Sequence, residues 1–148
     1  ILILDNDSII NPEIIEEHIG ISKDFNIFEL QEALSKKNEY QCYFILNYLS
    51  LNQKDNPIEK IIGSLFSFFQ KVLTLHSLRN SAAAAAALRI NPYFIEQYKK
   101  ATKKYNYNQL TTIFGLLKDY DLRSKGLNNK NTTREELVKE LISKIIHT

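Results

Sequence analysis

The residues that could bind a metal or carry out acid–base chemistry are few and far apart in this chain. Its three histidines are His18, His76 and His147, and its single cysteine is Cys42. No HExxH motif and no zinc-type Cys/His spacing connects them. Because Cys42 lies beside Tyr43 in a segment of helical character, we expect a buried, structural thiol. The sequence therefore predicts no metal site, and packing or capping roles for His18 and His76.

Paired carboxylates and glycine-rich loops, two further marks of catalysis, also give no site. The pairs Glu16-Glu17 and Glu135-Glu136 fall at helix ends or on polar faces, where they compensate the helix dipole. The four glycines are too far apart in sequence to form a phosphate-binding loop. We therefore expect no catalytic residue and no cofactor in this chain.

One basic patch, which we call the lysine face, has the composition of a nucleic-acid contact. Four lysines on one predicted helix could contact phosphates, and three nearby tyrosines could stack on bases. Two of these tyrosines also fall on the apolar stripe of the helix, which favours a solvated lysine surface above a packed aromatic layer. Both interpretations stay open. The lysine face consists of Lys99, Lys100, Lys103 and Lys104, and the tyrosines are Tyr98, Tyr105 and Tyr107.

The composition fits a globular domain of nearly balanced charge. The 148 residues are 44% hydrophobic, and the formal net charge is +2. So small a charge predicts no strong attraction to nucleic acid or to membranes. No apolar run approaches the roughly 18 residues of a membrane span, and no charged leader precedes an apolar segment. We expect a cytoplasmic protein without membrane contact.

The lysine face belongs to a predicted helical hairpin. Asn91 offers a capping oxygen and Pro92 has the fixed φ of a first helical residue, while the segment from Tyr105 to Tyr107 turns the chain. Apolar residues recur at helical spacing on both sides of this turn. The first stripe consists of Phe94, Ile95, Tyr98, Ala101, Thr102 and Tyr105, and the second of Leu110, Ile113, Phe114 and Leu117.

The second helix of the hairpin has an acidic residue where its apolar stripe ends. Asp121 lies at the C-terminal end of the apolar stripe, and Lys125 follows four residues later. At this spacing a carboxylate and an ammonium group meet on one face of a helix. A carboxylate near a core needs such a partner, so we predict a structural ion pair. Gly126 suits the first position beyond the helix end.

The longest predicted helix begins at Asn56-Pro57 and has the widest apolar surface. Such a helix is expected at the centre of the fold, in contact with several neighbours. Phe66, Phe68 and Leu75 lie outside its main stripe. That stripe consists of Ile58, Ile61, Ile62, Leu65, Phe69, Val72, Leu73 and His76.

Three further segments complete an all-α body. Helices are predicted over Ile27 to Leu34 and over Tyr40 to Leu51, and the six alanines from Ala82 to Ala87 are strong helix formers. A last helix begins with two overlapping capping boxes, Thr132 with Glu135 and Thr133 with Glu136. No segment after residue 20 alternates as a strand does, so we predict a helical bundle of six or seven helices.

Residues 1–20 are predicted to end a separate, smaller domain. A short strand over Ile1 to Leu4 is followed by a helix that begins at Asn11-Pro12 and stops at Gly20. The polar connector from residue 21 to 26 marks the boundary, so the helical domain spans 21–148. The apolar face of the short helix consists of Ile14, Ile15 and Ile19.

Four segments, taken in order, carry a family pattern. They are Asn26 to Leu34 (NIFELQEAL), the long apolar helix, Leu88 to Phe94 (LRINPYF) and Asp121 to Gly126 (DLRSKG). Their order and spacing resemble the C-terminal part of the delta subunit of bacterial DNA polymerase III, a component of the sliding-clamp loader. The resemblance covers about residues 10–146. The alanine run departs from it, since the family has mixed side chains there.

The resemblance implies a non-catalytic subunit of a DNA-directed DNA polymerase holoenzyme. Delta subunits have an N-terminal nucleotide-hydrolase-like domain, a small second domain and a helical C-terminal domain that joins a pentameric collar. By this resemblance, residues 1–20 end the second domain and 21–148 form the collar domain. The implied partners are the gamma/tau and delta-prime subunits through the collar, the sliding clamp through an N-terminal domain that lies outside this sequence, and DNA through the complex.

The function implied by the resemblance is therefore assembly of the clamp loader. Collar packing requires apolar side chains that lie off the core stripes of their helices. Four such residues are candidates for a subunit interface: Phe68, Leu75, Tyr93 and Leu116. The competing hypothesis is a nucleic-acid-binding helical module that uses the lysine face.

Overall fold

A computed structural model describes residues 25–79 and 82–148 of the chain. These residues form seven α-helices, one short 3-10 helix and no strand, which confirms the all-α prediction. The strand and short helix predicted within residues 1–20, and the boundary near residue 21, lie outside the described residues. The helices are α1 (Ile27–Ser35), α2 (Glu39–Leu51), α3 (Ile58–Ser77), α4 (Ala82–Ala87), the 3-10 helix (Pro92–Phe94), α5 (Ile95–Lys104), α6 (Tyr107–Ser124) and α7 (Arg134–Ile146).

Reciprocal capping boxes begin three of the helices. In each box the side chain before the helix accepts a hydrogen bond from the third helical residue, whose own side chain accepts one in return. Of the two boxes predicted before α7, the structure has the second, in which the Glu136 N–H donates to Thr133 Oγ1 at 3.2 Å. The three boxes are Asn26 with Glu29, Asn106 with Gln109, and Thr133 with Glu136.

The two described Asn-Pro pairs do not begin their helices in the same way. Asn91 accepts a hydrogen bond from the Tyr93 N–H at 3.0 Å, and a 3-10 turn then precedes α5. Asn56 does not cap α3, because Pro57 occupies the cap position without a side-chain hydrogen bond. The backbone N–H of Asn56 and its side-chain amide both donate to the Asn52 carbonyl, so this residue closes the turn after α2 instead.

Helix α6 ends as predicted, at a glycine in the left-handed region. Gly126 has a φ of 89°, and its N–H donates to the Arg123 carbonyl at 3.0 Å. The next N–H, from Leu127, reaches back to the Leu122 carbonyl, also at 3.0 Å. This is the Schellman pattern, which satisfies two carbonyls at the helix end.

Helix α3 is the centre of the fold. It contacts α1, α4, α5, α6 and α7, as predicted for the longest and most apolar helix. Its buried side chains form the largest share of one continuous core. They are Ile58, Ile61, Ile62, Leu65, Phe68, Phe69, Val72 and Leu75.

Phe68 and Leu75 are part of this core, so the prediction that they lie on an outward surface is wrong. Each is only 1% exposed. The Phe68 ring lies 5.1 Å from the rings of both Phe69 and Tyr98, measured between centroids. The physical reason is that α3 has neighbours on several sides, so its buried arc is wider than the single stripe that helical periodicity identifies.

Helix α2 packs its inner face against α1 and α7. Cys42 is fully buried on that face, and burial raises the pKa of its thiol to about 12. The predicted burial of this cysteine is therefore confirmed, and a thiol with so high a pKa stays protonated near neutral pH. Within the part of the chain that the structure describes, no helix is long and apolar enough to cross a membrane.

Candidate interaction surfaces

The described histidines occupy separate positions at helix ends. His76 is partly buried near the end of α3. His147 follows α7, where its Nδ1 lies 2.7 Å from the Ser143 carbonyl and its Nε2 lies 3.6 Å from a Glu39 carboxylate oxygen. Across residues 25–79 and 82–148, no three His, Cys, Asp or Glu side chains are grouped so as to hold a metal. His18 lies outside the described residues.

The lysine face lies on α5, and most of it is exposed. Lys100, Lys103 and Lys104 are exposed, while Lys99 is partly buried and lies 3.4 Å from the Glu96 carboxylate. Its neighbouring aromatic residues do not form a stacking platform. Of the three tyrosines considered, Tyr98 and Tyr105 are buried in the core and Tyr107 is exposed. The structure thus separates the lysines from two of the aromatic rings with which the sequence had associated them.

Lys37, in the turn between α1 and α2, is a further positive charge near Lys104 of the lysine face. Its Nζ lies 4.7 Å from the centroid of the Tyr105 ring and donates to the Thr148 carbonyl at 3.4 Å. Burial and the nearby charge of Lys104 lower the pKa of Lys37. Sequence reasoning missed this lysine because it lies far from the lysine face along the chain and joins it only through tertiary packing.

Tyr93 is the most exposed large apolar side chain of the described residues, at 85%. Its ring meets that of Phe94 edge-on with centroids 5.2 Å apart, and Phe94 stacks on Phe28 at 6.1 Å. Lys71 and Arg89 help line the cleft beside Phe28 and Phe94, which has a volume of about 190 Å³. We call the three rings the aromatic cluster (Phe28, Tyr93 and Phe94). Phe28 was missed from sequence because it lies within a helix-forming segment without any distinguishing motif.

The remaining interface candidate, Leu116, is half-buried on α6. A second pair of apolar rings lies at the contact between α3 and α6. Phe66 and Phe114 meet edge-on with centroids 5.5 Å apart, and Phe66 is about half exposed. Exposed and half-exposed apolar side chains such as these are candidates for contact with another protein.

Asp121 and Lys125 form an ion pair, with 2.8 Å between Lys125 Nζ and Asp121 Oδ2. Both side chains are more than one third exposed, so Asp121 lies at the edge of the core rather than within it. Exposed pairs of this kind contribute little to stability, up to about 1 kcal/mol. Two neighbours of the pair, Tyr120 and Ser124, are buried, and the Tyr120 ring lies 4.6 Å from the Arg123 guanidinium carbon.

These observations define an all-α domain whose described part has exposed apolar and basic side chains. Among protein families, the DNA polymerase III delta subunit, C-terminal domain, has a model that matches residues 24–142. The chain therefore belongs to this family, and the match confirms the family identified from the order of the sequence motifs. Neither the curated proteins nor the solved structures gave a significant match.

Proposed function

We propose that this domain assembles the sliding-clamp loader of DNA replication by packing into its helical collar. The observation that carries the proposal is the family match, which begins just before α1 and ends within α7. It therefore includes almost all of the described core. In this role the domain performs no chemistry and instead presents apolar surfaces to neighbouring subunits.

The aromatic cluster is the surface best suited to a subunit contact. Tyr93, in the 3-10 helix, has most of its area exposed, and its ring contacts Phe94, which in turn stacks on Phe28. A tyrosine held in this way loses little side-chain entropy on binding and buries a large area, which is typical of interface hot spots. Leu116 remains a second candidate, whereas Phe68 and Leu75 are excluded because the core already buries them.

The proposed partners are the gamma/tau and delta-prime subunits, with contact to the sliding clamp made by another domain of the delta subunit. The test is size-exclusion chromatography of this chain mixed with those subunits from the same organism, at low and at moderate salt. Because apolar contacts are weakly screened by salt, we expect co-elution at both salt concentrations.

Two tyrosine variants make this test specific. Tyr93→Ala should weaken co-elution, while Tyr107→Ala removes an exposed tyrosine elsewhere on the surface and should leave it unchanged. If the unsubstituted chain elutes alone at both salt concentrations, the proposed assembly function is wrong. Equal loss in both variants would remove the aromatic cluster as the contact surface.

Nucleic-acid binding by the lysine face is the second candidate function. It is favoured by the exposure of Lys100, Lys103 and Lys104 on one side of α5 and by the further positive charge of Lys37 near Lys104. The test is fluorescence anisotropy of labelled single-stranded DNA over a salt series. Each lysine that contacts a phosphate contributes roughly 0.7 to the slope of log K against log salt. The triple change of these three lysines to alanine should therefore flatten the slope by about two, and Lys54→Ala is the matched control.

A further inference from the structure

The cleft beside Phe28 and Phe94 has positive charges that no described residue neutralises. Lys71 lines it from α3, and Arg89 lines it from the connection between α4 and the 3-10 helix. Among the described residues of the cleft none is acidic, and neither cation forms an ion pair within the described part of the chain. A cleft lined by charges of one sign attracts the opposite charge, because its apolar walls concentrate the electric field.

The hydrogen bonds of the polar side chains show what the cleft can still bind. Gln31 is buried, and its amide donates to Ser64 Oγ at 2.7 Å. In contrast, the side chains of Lys71, Arg89 and Gln97 have no hydrogen-bond partner among the described residues. All three can donate hydrogen bonds, and two of them are positively charged. The cleft is therefore suited to an anionic acceptor.

The size of the cleft and the arrangement of its rings favour a carboxylate side chain over a nucleotide. Its volume of about 190 Å³ is smaller than the roughly 300 Å³ at which pockets for whole small molecules begin. Phe28 and Phe94 stack on each other, with centroids 6.1 Å apart, so no gap between them is open to a base. Tyr93 contacts Phe94 and adds exposed apolar area beside the charges. Tyrosine and arginine are among the residue types most enriched at the hot spots of protein interfaces.

We propose that the cleft binds an acidic side chain of the subunit that packs against the aromatic cluster. This inference rests on the proposed assembly function and specifies the chemistry of the partner, which is an aspartate or glutamate flanked by apolar residues. The carboxylate pairs with Lys71 and with Arg89, whose planar guanidinium group can bind both carboxylate oxygens. The flanking apolar residues cover Tyr93 and Phe28. Because Lys71 is partly buried, salt screens this pairing less than it screens an exposed ion pair.

The first measurement is the affinity of the whole chain for the purified gamma/tau and delta-prime subunits, by biolayer interferometry. The double variant Lys71→Gln with Arg89→Gln should raise Kd about tenfold or more, because it leaves the carboxylate of the partner unpaired in the interface. The matched control, Arg79→Gln with Lys118→Gln, also loses two charges and should leave Kd unchanged. Arg79 is exposed and has a φ of 54°, close to the 53° of Arg89, and Lys118 is exposed on α6.

The second measurement is carbodiimide cross-linking of the complex, which couples a lysine amine to a carboxylate that lies against it. We expect an amide bond between Lys71 and one aspartate or glutamate of a partner subunit, located by mass spectrometry of the digested complex. Lys71→Arg keeps the charge but has no amine to couple. This variant should therefore keep its affinity and lose the cross-link.

Three results would overturn the inference while leaving the assembly function in place. The first is a double variant that binds the subunits as tightly as the unsubstituted chain and a complex without the Lys71 cross-link. The second is an equal loss of affinity in the control variant, because net charge and not the cleft would then decide binding. The third is that the double variant binds labelled single-stranded DNA more weakly but the subunits equally well, because the anion would then be a phosphate. Failure of the unsubstituted chain to bind the subunits overturns the assembly function and the inference together.

Discussion

The hydroxyl group of Tyr105 donates a hydrogen bond of 2.8 Å to the backbone carbonyl of Leu34, across a sequence separation of 71 residues. Both residues are fully buried. The same carbonyl accepts the N–H of Lys37 at 3.0 Å, so both its lone pairs have donors. This bond connects the end of α1 to the turn between α5 and α6, and it gives a polar group in the core a defined partner.

Tyr105→Phe should destabilise the domain by about 1 kcal/mol, the net contribution of one buried hydrogen bond. The loss stays moderate because Leu34 keeps its bond from Lys37 and the phenyl ring keeps its contact with Phe69. Urea unfolding followed by circular dichroism measures the change. Tyr107→Phe, at an exposed position, should leave the free energy of unfolding unaltered, and an equal effect of both changes would contradict the role of the bond.

The domain should lose stability in alkaline solution. Burial raises the pKa of Cys42 from 9.0 to about 12, and it also raises the pKa of Tyr98, Tyr105 and Tyr120. A group whose pKa is higher in the folded than in the unfolded state makes its full contribution to stability at pH values below the unfolded pKa. This contribution is lost as the pH rises towards the folded pKa.

The free energy of unfolding should therefore fall above pH 9, where the unfolded thiol ionises, and more steeply above pH 10, where unfolded tyrosines ionise. One group alone gives a slope of up to about 1.4 kcal/mol per pH unit. Denaturant unfolding between pH 7 and pH 11 measures this dependence. Cys42→Ala should flatten the curve between pH 9 and pH 10, and a stability that is constant to pH 11 would contradict the account.

Substitution by alanine should have opposite effects on the stability of the domain at different glycines. Gly63 and Gly115 lie inside helices, and a Cβ added at either would meet nothing within 4 Å. Alanine there should stabilise the domain by roughly 0.5 to 1 kcal/mol each, because it lowers the entropy of the unfolded chain. Gly126→Ala should destabilise it by about 1 kcal/mol or more, since its φ of 89° is unfavourable for a side chain. Thermal unfolding of the three variants decides this, and three shifts of the same sign would contradict it.

Phe68→Ala should destabilise the domain by about 3 to 5 kcal/mol, because it leaves a cavity in a fully buried site beside Phe69 and Tyr98. Tyr93→Ala should change the free energy of unfolding by less than about 0.5 kcal/mol, since the side chain is mostly exposed. Chemical denaturation of both variants measures the difference. A small effect at Phe68 would restore it as a candidate for the subunit interface.

Local signals predicted much of the fold because their physical causes are local. The capping box of Thr133 with Glu136 and the left-handed Gly126 depend on residues a few positions apart. The Asn-Pro pairs were less informative. Asn56 donates to the Asn52 carbonyl in the turn after α2, and Asn91 begins a 3-10 turn before α5. The Asn-Pro dipeptide alone predicts neither outcome.

The candidate surfaces were predicted less well, because exposure depends on how many neighbours a helix has. Helical periodicity assigned Phe68 to the outside of α3, but several neighbouring helices bury a wider arc. Lys37 and Phe28 joined the lysine face and the aromatic cluster only through tertiary packing. The hydrogen bond of Tyr105 to Leu34 likewise could not be predicted from the sequence, since no short-range pattern relates residues so far apart.

The mass of the assembled complex tests the central claim most directly. The gamma/tau and delta-prime subunits, purified together, would be mixed with an excess of this chain, and the complex weighed by native mass spectrometry. The account predicts a complex heavier by one copy of the chain, 17.2 kDa, that persists at moderate salt. An unchanged mass, together with binding of the chain to single-stranded DNA, would contradict assembly and make the lysine face the functional surface.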